Sequence, residues 1–137
     1  MQRQIALVLD NLYNVKVRFI VKHQMRLNPN AFEQIKSGRK IREYRLYDDK
    51  RQQIKIGDII EFLKLPNSDE SICVEVEGLL LYKNWYSCYE DFFEQDLSDC
   101  YESIEAVVEE TYKNWWSKEK EEMYGCLIIK LKKNNFA

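Results

Sequence analysis

The sequence predicts an α+β fold, a curled β-sheet rolling towards a barrel with several short helices around it. Three observations carry this. Strict two-residue alternation begins at Val17, and a strand-like apolar run ends at Leu131, so strands dominate both ends of the 137-residue chain. Glycine and proline signals cut the middle into short strands. The stretch 84–120 carries helix starts instead of alternation. The length suits one core and not two, so we expect a single domain over residues 15–137.

Taken in order, residues 1–14 show no clear period and read as a loosely attached leader. Val17, Phe19, Val21, His23, Met25 and Leu27 then share one parity, with Lys16, Arg18, Lys22, Gln24 and Arg26 opposite and Ile20 as the one break. That is a half-buried strand. Asn28-Pro29 reads as an N-cap followed by the first helical position, where proline has no N–H to waste. Phe32 and Ile35 would face the core, and Ser37-Gly38 ends the helix. A strand is expected over Lys40–Tyr47, one helical turn over Asp48–Gln53, and strands from Ile59 to Leu63 and from Ile72 towards Tyr82, paired as an antiparallel hairpin across the Pro66–Asp69 turn. Ser87 and Ser103 are expected helix starts, and Tyr124–Leu131 is the last strand.

Hydrophobic residues make up 45% and charged residues 32%, the balance of a globular protein, and no apolar run approaches the ~20 residues of a membrane span. The N-terminus lacks a signal-peptide pattern. A cytoplasmic location without membrane contact is expected. Cys73, Cys88, Cys100 and Cys126 contain no C-x-x-C pair and His23 is the only histidine, so we expect buried free thiols, no metal and no cofactor.

Net charge is −2, but the charge is segregated. Residues 36–55 hold eight basic against three acidic side chains, and residues 90–122 hold twelve acidic side chains against three lysines. The acidic stretch reads as a solvated surface or, alternatively, as a face for a basic protein partner. The basic stretch contains Gly38-Arg39-Lys40-Ile41-Arg42-Glu43-Tyr44-Arg45, a G-x-K-x-x-E-x-R pattern at a helix-to-strand junction. Glu43 and Arg45 share parity; Lys40 and Glu43 do not, so a bend near Ile41 is needed to bring them to one face.

With this motif the chain resembles the ASCH (activating signal cointegrator homology) family of the PUA-like superfamily. The surroundings agree: His23-x-Met25-x-Leu27, Phe32 and Ile35, Asp49-Lys50-Arg51, Gly57-Asp58-x-Ile60-x-Phe62, and Tyr124-Gly125. The likeness spans roughly residues 20–131, with the acidic middle matching least. It implies a barrel whose motif-lined cleft binds RNA or a nucleotide-like ligand. Some relatives hydrolyse acylated pyrimidine nucleosides and others are linked to RNA cleavage. In the nucleoside-hydrolase branch a threonine nucleophile follows the motif lysine by three positions; here Glu43 stands there.

The candidate ligand residues are therefore Gly38, Lys40, Glu43, Arg45, Lys50 and Arg51. Lys40 and Arg45 would grip a phosphate or polarise a carbonyl; the competing reading pairs Arg45 with Glu43 in a structural ion pair. Glu43, flanked by arginines, is an organiser of their charge, or, with Lys40, a catalytic acid–base group if the protein is a hydrolase. Lys50 and Arg51 either extend a basic edge along a backbone or form a solvated turn. His23 reads first as a satisfied core histidine and second as a cleft residue. Glu121 and Glu122 precede the last strand and either reach the cleft or end a surface helix. Tyr44 and Tyr47 have opposite parities, so one faces solvent or ligand. Among Trp85, Tyr86, Tyr89, Trp115 and Trp116, most are core and one at most is a stacking platform. The expected partners are RNA or a nucleotide-derived small molecule.

Overall fold

The computed structural model describes residues 2–10 and 14–132, with side chains from Phe19 onward. Its strands are β1 (Gln2–Asp10), β2 (Asn14–Leu27), β3 (Arg42–Leu46), β4 (Ile59–Lys64), β5 (Ser71–Tyr82) and β6 (Cys126–Leu131). Its helices are α1 (Pro29–Lys36), α2 (Trp85–Asp91), α3 (Ile104–Asn114) and α4 (Lys118–Tyr124), with a 3₁₀ turn at Arg51–Gln53 and a π turn at Phe93–Leu97. Two compact units emerge, each discontinuous in sequence: Met1–Ile41, Ile54–Glu77 and Leu131–Ala137 form one, and Arg42–Gln53 with Gly78–Lys130 the other.

In the first unit β2 is the spine. It pairs antiparallel with β1, from Gln2 opposite Lys22 to Asp10 opposite Asn14. Lys22–Leu27 also pairs parallel with β4, and β4 forms the expected antiparallel hairpin with β5, from Ile59 opposite Glu75 to Leu63 opposite Ser71. His23, Met25 and Leu27 are buried as their parity predicts, whereas Phe19 is 60% exposed. The reason is local: β4 begins opposite Lys22, so among the described residues the ladder beside β2 before that point is β1 alone. The expected facing of Lys16, Val17 and Arg18 lies outside the described side chains. The segment read as a leader supplies β1, with Met1 and residues 11–13 outside the described residues. Helix α1 starts as its sequence dictates, Asn28 Oδ1 accepting from Ala31 N–H at 2.8 Å with Pro29 in the first turn, and it buries Phe32 and Ile35.

A buried carboxylate fastens this unit. Asp58 accepts from His23 Nε2 at 2.8 Å and from the N–H groups of Val21 at 3.1 Å and Lys55 at 3.0 Å. Asp58 and His23 are each only 2% exposed, so His23 is a satisfied core histidine and not a cleft residue.

In the second unit β6 pairs antiparallel with β3, from Arg42 opposite Lys130 to Leu46 opposite Cys126. Four consecutive residues of β6, Cys126–Ile129, are buried, as in a strand covered on both faces. The core is Leu46, Trp85, Cys88, Tyr89, Val107, Cys126 and Ile128. Ser103 caps α3 as expected, accepting from Ala106 N–H, but α2 starts three residues before the expected Ser87: Asn84 is its cap and Ser87 N–H is the donor. Buried thiols are found at Cys88 and Cys126 only; Cys73 and Cys100 are exposed.

The strand order is β1-β2-β4-β5-β6-β3. The sheet is mixed and does not close into a barrel: β1 and β3 are edge strands, and among the described residues no ladder joins them. Closure needs every strand paired on both sides, which neither the β1 hairpin nor the five-residue β3 satisfies.

Candidate functional site

The motif strand β3 presents two unlike faces. On one, Leu46 is buried and Tyr44 packs into the aromatic core, 5.5 Å from the Tyr89 ring. The Tyr44 hydroxyl donates to Asp96 Oδ2 at 2.6 Å, and Arg42 Nε donates to the same oxygen at 2.9 Å while its guanidinium lies 4.2 Å from the Phe92 ring centroid. Burial first, and then the bond to Asp96, push the Tyr44 phenol far above its ordinary pKa, so it stays a neutral donor. Asp96 sits in the π turn, 54 residues from Arg42, and no sequence signal connects them.

The other face carries Glu43 and Arg45. Arg45 Nη2 donates to Glu43 Oε2 at 2.9 Å and Arg45 Nε to the same oxygen at 3.3 Å, while Oε1 accepts from Tyr44 N–H at 3.3 Å. Glu43 is 4% exposed, and the Arg45 side chain 15%. The competing sequence reading, an Arg45–Glu43 ion pair, is therefore realised, and it is largely removed from water.

Gly38 and Lys40 belong to the first unit. Gly38 has φ of 82°, the left-handed exit from α1, and Lys40 N–H bonds back to Gln34 O at 3.0 Å. The regular strand begins only at Arg42, whereas Lys40 was expected to open it. The motif thus crosses the boundary between the two units.

Arg51 starts the 3₁₀ turn and pairs with Asp48, Nη1 to Oδ2 at 2.9 Å; its Nε is buried without a hydrogen-bond partner among the described residues. Lys50 is exposed. The basic stretch is less open than its sequence suggests, because Arg42, Arg45 and Arg51 each face a carboxylate. Tyr47 follows Arg45 on the same parity, and its N–H bonds to Gly125 O at 3.0 Å. Tyr44 is partly buried against the core and its hydroxyl is taken by Asp96, and Tyr47 is partly exposed on the opposite parity.

Glu121 has a different role from the expected one. It is buried and accepts from Trp85 N–H at 2.7 Å and from the Tyr112 hydroxyl at 2.6 Å, tying the first turn of α2 to α3 and α4. Of the aromatic residues, Trp85 is fully buried between Tyr89 at 5.4 Å and Trp116 at 5.2 Å, both near-parallel, and Trp115 lies at the exposed end of the row. Among the described residues no three His, Cys, Asp or Glu side chains cluster as metal ligands, and no helix is long and apolar enough to cross a membrane.

Comparison with known proteins adds three findings. The ASCH domain profile matches residues 25–134. Among solved structures, the hypothetical protein PH0355 is 34% identical with a TM-score of 0.69, covering 82% of this chain and 98% of its own. The protein PF0455 from Pyrococcus furiosus is 31% identical with a TM-score of 0.65, covering 85% of this chain and all of its own. No curated protein matches.

Proposed function

The chain belongs to the ASCH domain family, and from that premise we propose that it binds RNA or a nucleotide-like ligand through the phosphate-gripping groups of its motif. Arg45 contacts a phosphate or carbonyl oxygen and Glu43 holds the Arg45 fork in position, while Lys40 adds positive charge to the motif. The observation that carries this reading is the Glu43–Arg45 pair, with Glu43 4% exposed on the face of β3 away from the aromatic core. Two charges taken out of water gain little for stability and are often replaced by apolar residues without loss. A planar guanidinium held in place by a carboxylate is, in contrast, well prepared for bidentate contact with phosphate.

Both Glu43 oxygens already accept hydrogen bonds, which favours an organising role over proton transfer. The threonine of the nucleoside-hydrolase branch is replaced by this engaged carboxylate, so binding is the reading we adopt. Titration of labelled single-stranded RNA at two salt concentrations tests it. We expect salt-sensitive binding by the native protein and its loss in Lys40→Ala/Arg45→Ala, with the RNA left intact. Unchanged affinity in the folded double mutant would overturn the assignment.

A further inference from the structure

Beyond Tyr47 the second unit holds a groove of about 490 Å³, lined by Tyr47, Leu81, Tyr82, Lys83, Glu122, Met123, Tyr124 and Gly125. We propose that this groove is a base-binding subsite that takes one planar nucleobase of the ligand. The proposal rests on the phosphate-binding reading above and extends it to a second part of the same ligand.

Three chain segments build the groove, and their meeting is enforced by the backbone. Tyr47 N–H bonds to Gly125 O at 3.0 Å, just past the end of β3. Gly125 has φ of 72°, and a Cβ placed there would lie 2.6 Å from Tyr82 O. Only glycine allows this approach. The result collects Tyr47, Tyr82 and Tyr124 around one concavity.

Two of the exposed large apolar side chains line the groove. Leu81 is 58% exposed and Met123 71% exposed, and both line it. Exposed apolar side chains beside tyrosine rings in a concavity suit a flat, partly apolar ligand.

Chemistry selects a nucleobase among flat apolar occupants. Tyrosine rings stack on any base, and a thioether side chain adapts to a flat ring. The Tyr47 and Tyr124 hydroxyls have no hydrogen-bond partner among the described residues, so they are available to base edges. Lys83 offers a cation for one phosphate, and Glu122 a carboxylate that accepts from a base N–H. One cation and one acceptor suit a nucleotide; an all-apolar peptide would leave both unmatched. The volume lies within the roughly 300–1,000 Å³ of small-molecule sites.

The test compares AMP with ribose 5-phosphate, by calorimetry, on the native protein and on Met123→Glu and Tyr47→Ala. We expect AMP to bind about 10-fold more tightly than ribose 5-phosphate, the difference being the base. Either variant should bring AMP down to the sugar-phosphate level and leave ribose 5-phosphate unchanged. Met123 is exposed, so its variant should fold. Equal affinity for the two ligands in the native protein, or an AMP advantage that survives both variants, would overturn the subsite while leaving phosphate binding intact. Failure of the folded native protein to bind either would overturn both.

Discussion

Two buried carboxylates, Asp58 in the first unit and Glu43 in the second, show how similar burial can serve different ends. Asp58 is saturated by two backbone N–H groups and by His23, and all of these donors belong to the fold itself. Glu43 accepts from one backbone N–H, that of Tyr44, and its other oxygen takes a charge-assisted bond from Arg45, two residues away on its own strand. Removing the Asp58 donors would unmake a turn and a strand junction. Removing Arg45 would take away the charged donor to Glu43 Oε2. A carboxylate fastened by the backbone is a structural staple, and a carboxylate fastened by an arginine that is still partly exposed keeps a charged group ready for use.

The comparison breaks most visibly at Asp58. Asp58→Ala strands His23 and two backbone donors, and should cost roughly 4 kcal/mol or more, read by urea denaturation. A loss below about 1 kcal/mol would mean that water replaces the carboxylate easily.

Next comes alkaline pH, which acts on the second unit. Burial pushes Cys88, Cys126 and Tyr89 well above their ordinary values, and Tyr101 up to about 12. In the unfolded chain these groups lose protons near pH 9 for Cys and 10 for Tyr, while the folded state keeps them. The folded state then binds more protons, so stability present below pH 9 is lost as pH rises, at roughly 1.4 kcal/mol per pH unit for each fully coupled group. All three tryptophans, Trp85, Trp115 and Trp116, lie in this unit, so thermal melts followed by tryptophan fluorescence at pH 8 and 10.5 report it directly. Equal midpoints would contradict the burial argument.

Glu121→Gln keeps the shape of the side chain but weakens acceptance from Trp85 N–H and Tyr112 OH, and should cost about 1–2 kcal/mol in the same denaturation assay. RNA affinity at the motif should hold, since Glu121 is committed to the helices. The smallest effect is expected at exposed Lys50. Lys50→Ala should change stability by less than about 1 kcal/mol, as for other exposed charges, and lower the salt dependence of RNA binding by about one phosphate contact. An unchanged slope would remove Lys50 from the ligand surface.

Most of the fold was legible because its signals are local. Asn28-Pro29, the β4–β5 hairpin and Ser103 each act within a few residues, and the structure keeps them. The motif was legible for the same reason, since Glu43 and Arg45 meet by strand parity alone. What the sequence hid is long-range. The pinning of Arg42 and Tyr44 by Asp96 spans more than fifty residues and runs through a π turn, which has no sequence signature. Phe19 reads as core by alternation because alternation cannot tell where a neighbouring strand begins. Barrel closure fails for a related reason: a strand pattern gives faces, but says nothing of whether both edges find partners. Glu121 looks like a surface helix end until Trp85 N–H and Tyr112 reach it.

The most direct test replaces the charged pair with an apolar one, Glu43→Leu/Arg45→Met, and measures urea stability and RNA affinity on the same preparation. If the pair is there to hold a ligand, stability should stay level or rise, as it does when buried ion pairs are exchanged for packed side chains, while binding disappears. A fall of several kcal/mol in stability with RNA binding intact would show that Glu43 and Arg45 serve the fold, as Asp58 does, and would contradict the account.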